Sequence, residues 1–169
     1  MFVRTLAAAS LAAVLLAAPA AAAPSAADRG LSFTLPPGWS AEPPQDGEPT
    51  RISGPQGSGV QCIFLLAPAP RNKTQAEIDA DIVAGKADGV LKGSVDRPVG
   101  EFTREVVDLD GRKALRGEGL SEAVNGRATV RILYMPTPTH TFQGLCAGPE
   151  ATFGRTPGLD ALFGSVKVK

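Results

Sequence analysis

The stretch from Glu101 to Ala147 constrains this chain more than any other. Asp110-Gly111 and Asn125-Gly126 both accept positive φ at the two central positions of a type I′ turn, and both lie between strand-forming runs. With a third break at Pro136-Thr137-Pro138, the stretch reads as four consecutive antiparallel strands. Two-residue turns at both dipeptides specify a register. Across Asp110-Gly111, Val106 faces Leu115, Glu105 faces Arg116, Asp108 faces Lys113 and Phe102 faces Gly119. Across Asn125-Gly126, Val130 faces Ser121, Ile132 faces Gly119 and Tyr134 faces Gly117. One face then gathers Phe102, Val106, Leu115, Gly117, Gly119, Ile132 and Tyr134, while the other carries Glu105, Arg116, Glu118, Glu122 and Arg131. Opposite charges meeting across strands agree with this register. Continued through the proline corner, the same parity puts His140, Phe142, Gly144 and Cys146 on the apolar face.

Gly117 and Gly119 are costly inside a strand unless something fills their space. Phe102, Ile132 and Tyr134 can cover them as large-beside-small packing. The alternative is a groove where a ligand or a partner backbone approaches. A candidate ligand or partner surface is therefore Gly117, Gly119, Tyr134 and His140, together with Trp39.

Upstream, Leu31-Ser32-Phe33-Thr34-Leu35 alternates apolar and polar residues as a half-buried strand, stopped by Pro36-Pro37-Gly38 directly before Trp39. Trp39 in that position packs over a sheet edge or stands as an exposed anchor. Arg51-Ile52-Ser53 is a short strand, and Val60 to Leu66 is a strong one. Val60, Cys62, Phe64 and Leu66 share one face of the latter, and Ile63 and Leu65 make its other face apolar too, the pattern of a strand covered on both sides. Thr74-Gln75-Ala76-Glu77 has the capping-box form and starts a helix. Its apolar stripe runs through Ala76, Ala80, Val83, Ala87, Val90 and Leu91, leaving Ile78 and Ile82 outside, and with Gly85 and Gly89 weakening its second half the helix ends anywhere from Gly85 to Lys92. Thr156-Pro157 reads as an N-cap before a short closing helix bearing Leu159, Leu162, Phe163 and Val166.

The N-terminus has the form of an export signal: Arg4, then an apolar run from Leu6 to Ala18, then the small residues Ala20 to Ala23. The run is too short to span a bilayer, so a retained anchor is disfavoured. Cleavage between Ala22 and Ala23 leaves a disordered lead-in over residues 23–30 and a single domain over 31–169, in the periplasm or secreted. The mature chain carries 16 basic against 17 acidic residues, with no basic block, so nucleic acid and anionic membrane surfaces lack their electrostatic footprint. No stable membrane insertion is expected after cleavage. Its two cysteines, Cys62 and Cys146, are expected to pair in an oxidising compartment, two buried free thiols being the alternative.

Catalytic motifs are weak throughout. His140 is the only histidine, and a triad or Cys-His pair would need it. Gly57-Ser58-Gly59 lacks the full nucleophile-elbow pattern and precedes a strand. Asp108-Leu109-Asp110-Gly111 has its glycine too early for an EF-hand loop. Asn72-Lys73-Thr74 matches a glycosylation sequon, but Thr74 already has a capping role. No cofactor, metal or catalytic residue is assigned.

The order of elements, opening on Phe33-Thr34-Leu35-Pro36-Pro37-Gly38-Trp39, resembles the PsbP/Mog1/DcrB-like superfamily. That resemblance implies an α+β fold: an antiparallel sheet, made of the four-stranded C-terminal meander plus N-terminal strands, sandwiched by helices. Functions in the superfamily are scattered, from photosystem II support to small-GTPase binding, and it offers no shared catalytic residues. The expectation is an exported, non-catalytic protein that binds or supports another envelope protein. The alternative is a binder of a small ligand or lipid in a groove on the sheet, and an enzyme comes third.

Overall fold

The computed structural model describes residues 30–42, 48–123 and 126–169. The leader and all but Gly30 of the lead-in lie outside the described residues. In chain order the elements are β1 (Leu31–Ser32), β2 (Ser40–Ala41), β3 (Thr50–Ser53), β4 (Gln61–Pro68), α1 (Gln75–Val83), α2 (Gly89–Gly93) and β5 (Pro98–Val99). There follow β6 (Glu105–Leu109), β7 (Arg112–Ala123), β8 (Gly126–Pro136), β9 (His140–Pro149), α3 (Glu150–Phe153), α4 (Leu159–Gly164) and β10 (Lys167–Val168). The main sheet is antiparallel in the order β2-β3-β4-β9-β8-β7, with β5 and β6 both pairing with β7. A second, two-stranded sheet joins β1 to β10 and so ties the two ends of the domain together.

The expected meander is present as β6 to β9. Asp110 and Gly111 take φ of 52° and 75°, as a type I′ turn requires, and Glu105 faces Arg116 and Asp108 faces Lys113 as the turn dictates. Two parts of the expected register are corrected. Gly126 is a paired residue opposite Ala123, not a turn residue, so Gly119 faces Val130, Gly117 faces Ile132 and Leu115 faces Tyr134. This register sets Glu118 opposite Arg131 and Glu122 opposite Arg127, two opposite-charge pairs the expected one lacked. The shift is by two residues, so each side chain keeps its face.

The corner after β8 has the larger consequence. Thr137 pairs tightly with His140: its N–H donates to the His140 carbonyl at 2.8 Å, and its hydroxyl accepts the His140 N–H at 2.9 Å. Only Pro138 and Thr139 remain in the loop, which flips the parity expected for β9. His140, Phe142, Gly144 and Cys146 therefore share a face with Leu133 and Met135, not with Ile132 and Tyr134.

Each face of the sheet carries its own core. On one side Cys62, Phe64, Leu133, Met135, Phe142 and Cys146 pack under β1, α3, α4 and β10, whose Leu31, Phe153, Leu162, Phe163 and Val168 are buried. Phe64 meets Phe33 and Phe142 edge-on at centroid distances of 5.2 and 5.3 Å, contacts worth about 0.5–1.5 kcal/mol each beyond their burial. Cys62 and Cys146 are directly opposed in the β4–β9 ladder, 4.0 Å apart at Cα, and are joined as a disulfide. On the other side Leu115, Val130 and Ile132 pack under Ile82 and Leu91 of the helical segment.

The capping box at the start of α1 is complete, with Thr74 as N-cap and Glu77 reaching back to its N–H at 2.8 Å. Gly85, at φ 78°, ends the helix. The continuous stripe expected through Leu91 is thereby broken, and Ile78 and Ile82 are the buried residues while Val83 is 57% exposed. Burying two isoleucines removes more apolar area than burying Ala76 and Ala80, and that decides the rotation of the helix. The last helix begins after Gly158 in the left-handed region, without a side-chain cap, so the Thr156 N-cap is not realised. Its apolar residues are buried as expected. Among the described helices none is long and apolar enough to cross a membrane.

Candidate functional site

The residues singled out around Gly117 do not converge. Gly117 and Gly119 are filled: a Cβ on Gly117 would lie 2.7 Å from Leu91 Cδ2, and one on Gly119 would lie 2.6 Å from the Phe102 ring. Phe102 thus covers Gly119 as its position across the strand implied, whereas Gly117 is covered by a helix residue rather than by Tyr134. Trp39 packs in the opposite core and is buried. Its turn has Pro37 and then Gly38 at φ 82°, closed by the Trp39 N–H on the Pro36 carbonyl at 3.1 Å, and its indole N–H donates to the Pro157 carbonyl at 2.7 Å. Trp39 is a clasp between the start of the domain and its last helix. His140 is half-buried, with Nδ1 2.9 Å from Thr139 Oγ1. Gly117 lines a shallow charged cleft on the far face of the sheet, and Tyr134 opens onto a larger cavity.

That cavity, of about 540 Å³, lies between α1 and the sheet and falls within the size range of small-molecule sites. Ile78, Ile82, Ala87, Pro136 and the Tyr134 ring form apolar walls, and Arg71, Lys73, Asp81 and Lys86 add charge. The chain leaving β4 stays against the proline corner, with Ala69 and Arg71 donating N–H bonds to the Thr139 and Pro138 carbonyls. The Arg71 guanidinium then donates to the carbonyls of Ala69, Thr137 and His140 and to the Thr141 hydroxyl. These are neutral acceptors, so the charge on Arg71 is not cancelled by any of them. Lys73 and Lys86 both grip Asp81, Lys86 at 2.6 Å, and hold its carboxyl below the usual carboxylate range. Gly85 reverses the chain after α1, so that the Lys86 N–H reaches the Asp81 carbonyl and its side chain comes back over the same carboxylate. Three cations face one anion.

None of these four charged residues is legible as a site in the sequence. Asp81 and Lys86 are five apart, a spacing that does not face on a helix, and Arg71 looks like a loop residue. The signal that could have found them is the capping box at Thr74, which sets Lys73 just before the helix, combined with a helix-ending glycine at 85.

A second feature lies on the same side of the sheet. The helical segment covers β7 and β8 and reaches β9, where the Ser94 hydroxyl meets the Gln143 amide. Beyond that border Ile63 is 43% and Leu65 38% exposed, so β4 is not covered on both faces as expected. Leu145 and Ala147 of β9 continue the strip, half-buried. On the opposite side, Glu118 and Asp160 flank Arg131 while Glu105 holds Arg116, a charged cleft in which both arginines are already paired. Among the described residues no group of three His, Cys, Asp or Glu side chains is placed to hold a metal ion.

No family model and no curated protein sequence matches the chain. Solved structures similar to it include the following three. The solution structure of cyanobacterial PsbP (CyanoP) from Synechocystis aligns with a TM-score of 0.58 at 16% identity, covering 86% of this chain and 90% of that one. The crystal structure of LpqN, involved in cell envelope biogenesis of Mycobacterium tuberculosis, aligns with a TM-score of 0.58 at 14% identity, covering 82% and 83%. A crystal structure from Bacteroides thetaiotaomicron aligns with a TM-score of 0.55 at 8% identity, covering 83% of this chain but only 45% of that one, so this chain spans about half its length. At such identities the likeness is one of fold. This chain has the PsbP/Mog1/DcrB-like fold: an α+β sandwich with an antiparallel sheet between helical layers.

Proposed function

We propose that this is an exported, non-catalytic binding module of the cell envelope, which docks a folded envelope protein on the open strip of its sheet. The exposed pair Ile63 and Leu65 carries the reading. Among the described residues Ile63 and Leu65 continue with Leu145 and Ala147 as an apolar strip on one face of the sheet, and exposed apolar stretches mark interaction sites. Arg51 and Gln61 border it with polar, exposed side chains, in the manner of an interface rim. Export is supported by the leader and by the Cys62–Cys146 disulfide, which suits an oxidising compartment. LpqN, of the same fold, is involved in cell envelope biogenesis, a setting that suits an exported binding module.

The test is site-specific. A photo-crosslinking residue at Leu65 is expected to give one defined adduct in the periplasm, and the same group at exposed Glu150 to give none. Ile63→Lys should abolish the adduct while leaving the thermal transition in place. Equal adducts from both positions, or none from Leu65, sink the docking surface. Export is checked separately by the mature N-terminus, expected at Ala23; an intact Met1 in the cell would overturn it.

A further inference from the structure

We infer that the cavity under α1 binds a small amphipathic anion: a carboxylate or phosphate carried on a compact apolar body. Its walls and its charges make two separate demands on a ligand. Ile78, Ile82, Pro136 and the Tyr134 ring present an apolar lining that a bare inorganic ion cannot use. Arg71, Lys73 and Lys86 present three cations against the single carboxylate of Asp81, an excess that a neutral ligand cannot use. Among the described residues the Tyr134 hydroxyl has no hydrogen-bond partner, so it is free to donate to a bound oxygen.

Asp81 shows how the anion is held. One oxygen takes Lys73 and the other takes Lys86, so the two ammonium groups already clamp a carboxylate at the cavity wall. The lysine side chains are 48% and 67% exposed and long enough to pivot from Asp81 onto an incoming anion. Asp81 is thus a resident competitor for the ligand's charge. Removing its charge should tighten binding, which runs opposite to what a merely structural carboxylate would do.

The probe is phenyl phosphate, followed through the amide resonances of Lys73, Ala87 and Tyr134 in the full mature protein, with inorganic phosphate and benzyl alcohol as half-ligands. Saturable shifts at these three positions are expected for phenyl phosphate, with both half-ligands weaker by about tenfold or more. Asp81→Asn should strengthen binding by about tenfold, and Lys73→Ala with Lys86→Ala should weaken it by at least as much. Binding should also fall as salt rises. Sedimentation with phosphatidylglycerol vesicles separates a soluble anion from a lipid headgroup: the protein is expected to stay in the supernatant. Absence of saturable shifts in both wild type and Asp81→Asn overturns the inference. So does benzyl alcohol binding as tightly as phenyl phosphate, or vesicle binding without phenyl phosphate binding. Ile63→Lys should leave the titration unchanged, so failure of the docking strip and failure of the cavity are told apart.

Discussion

Leu91 of α2 stands on Gly117 of β7 so closely that a Cβ on the glycine would lie 2.7 Å from Leu91 Cδ2 and 2.9 Å from the Thr103 carbonyl oxygen. The glycine is there so that helix and sheet can touch. Gly117→Ala should cost about 1–3 kcal/mol, the usual penalty for overpacking, read as a lowered urea midpoint with an unchanged slope. Leu91→Ala opens the space from the other side, so the double variant should cost less than the sum of the two single ones. The Thr103 carbonyl keeps the relief incomplete.

The Cys62–Cys146 bond closes a loop with a sequence separation of 84. In the chain-entropy account a loop of that length stabilises the fold by about 4–5 kcal/mol through the unfolded state. Cys62→Ala with Cys146→Ala should therefore lower the urea midpoint strongly and raise the slope, because the unlinked chain exposes more surface. A double variant as stable as the oxidised wild type would show that ladder pairing and the Phe64 cluster hold β4 to β9 without the bond.

Where the sequence was legible, a local rule had no competitor. Asp110-Gly111 dictated a turn and with it the Glu105–Arg116 pair. Thr74 and Glu77 dictated a helix start. The PsbP/Mog1/DcrB-like order of elements was readable because a Pro-Pro-Gly-Trp turn, a capping box and two hairpins punctuate the chain. The failures have equally particular causes. The Thr137 hydroxyl closed a turn that composition alone made one residue longer, and that sent Cys146 to the other face. Gly85 ended the helix at the near edge of the expected range, and the buried face went to Ile78 and Ile82 in place of the alanine stripe. The cavity was invisible because Arg71, Lys73, Asp81 and Lys86 meet only once the proline corner and the helix have both folded against β8.

Trp39 joins opposite ends of the chain through one hydrogen bond and its ring. Gly158, beside the acceptor, leaves no room for a side chain: a Cβ there would lie 2.4 Å from Pro36 Cβ. Trp39→Phe keeps much of the ring but strands the Pro157 carbonyl, and should cost about 1–3 kcal/mol. The measurement is the thermal midpoint, expected to fall by several degrees at roughly 2–4 °C per kcal/mol for a domain of this size. Amide exchange should rise at β1 and β10, which pair the same two ends of the domain, more than in β8.

Asp81 makes a prediction about acid. Hydrogen bonds from Lys73 and Lys86 lower its folded-state pKa, so the folded form binds its proton less readily than the unfolded chain does. That stabilisation is complete above the ordinary aspartate value of about 4 and is lost as the pH falls through the lower folded value. Glu77, lowered by the Thr74 backbone N–H and hydroxyl, titrates in the same acidic window and would mask the effect in a single protein. Comparing wild type with Asp81→Asn cancels it. Wild type should melt above the variant at pH 7, modestly because both lysine partners are exposed and screened by solvent, and the two curves should converge as the pH drops below about 4. A gap that persists at pH 2 would mean that Asp81 acts through shape rather than charge. The same result would also remove the reason to expect the variant to bind phenyl phosphate more tightly.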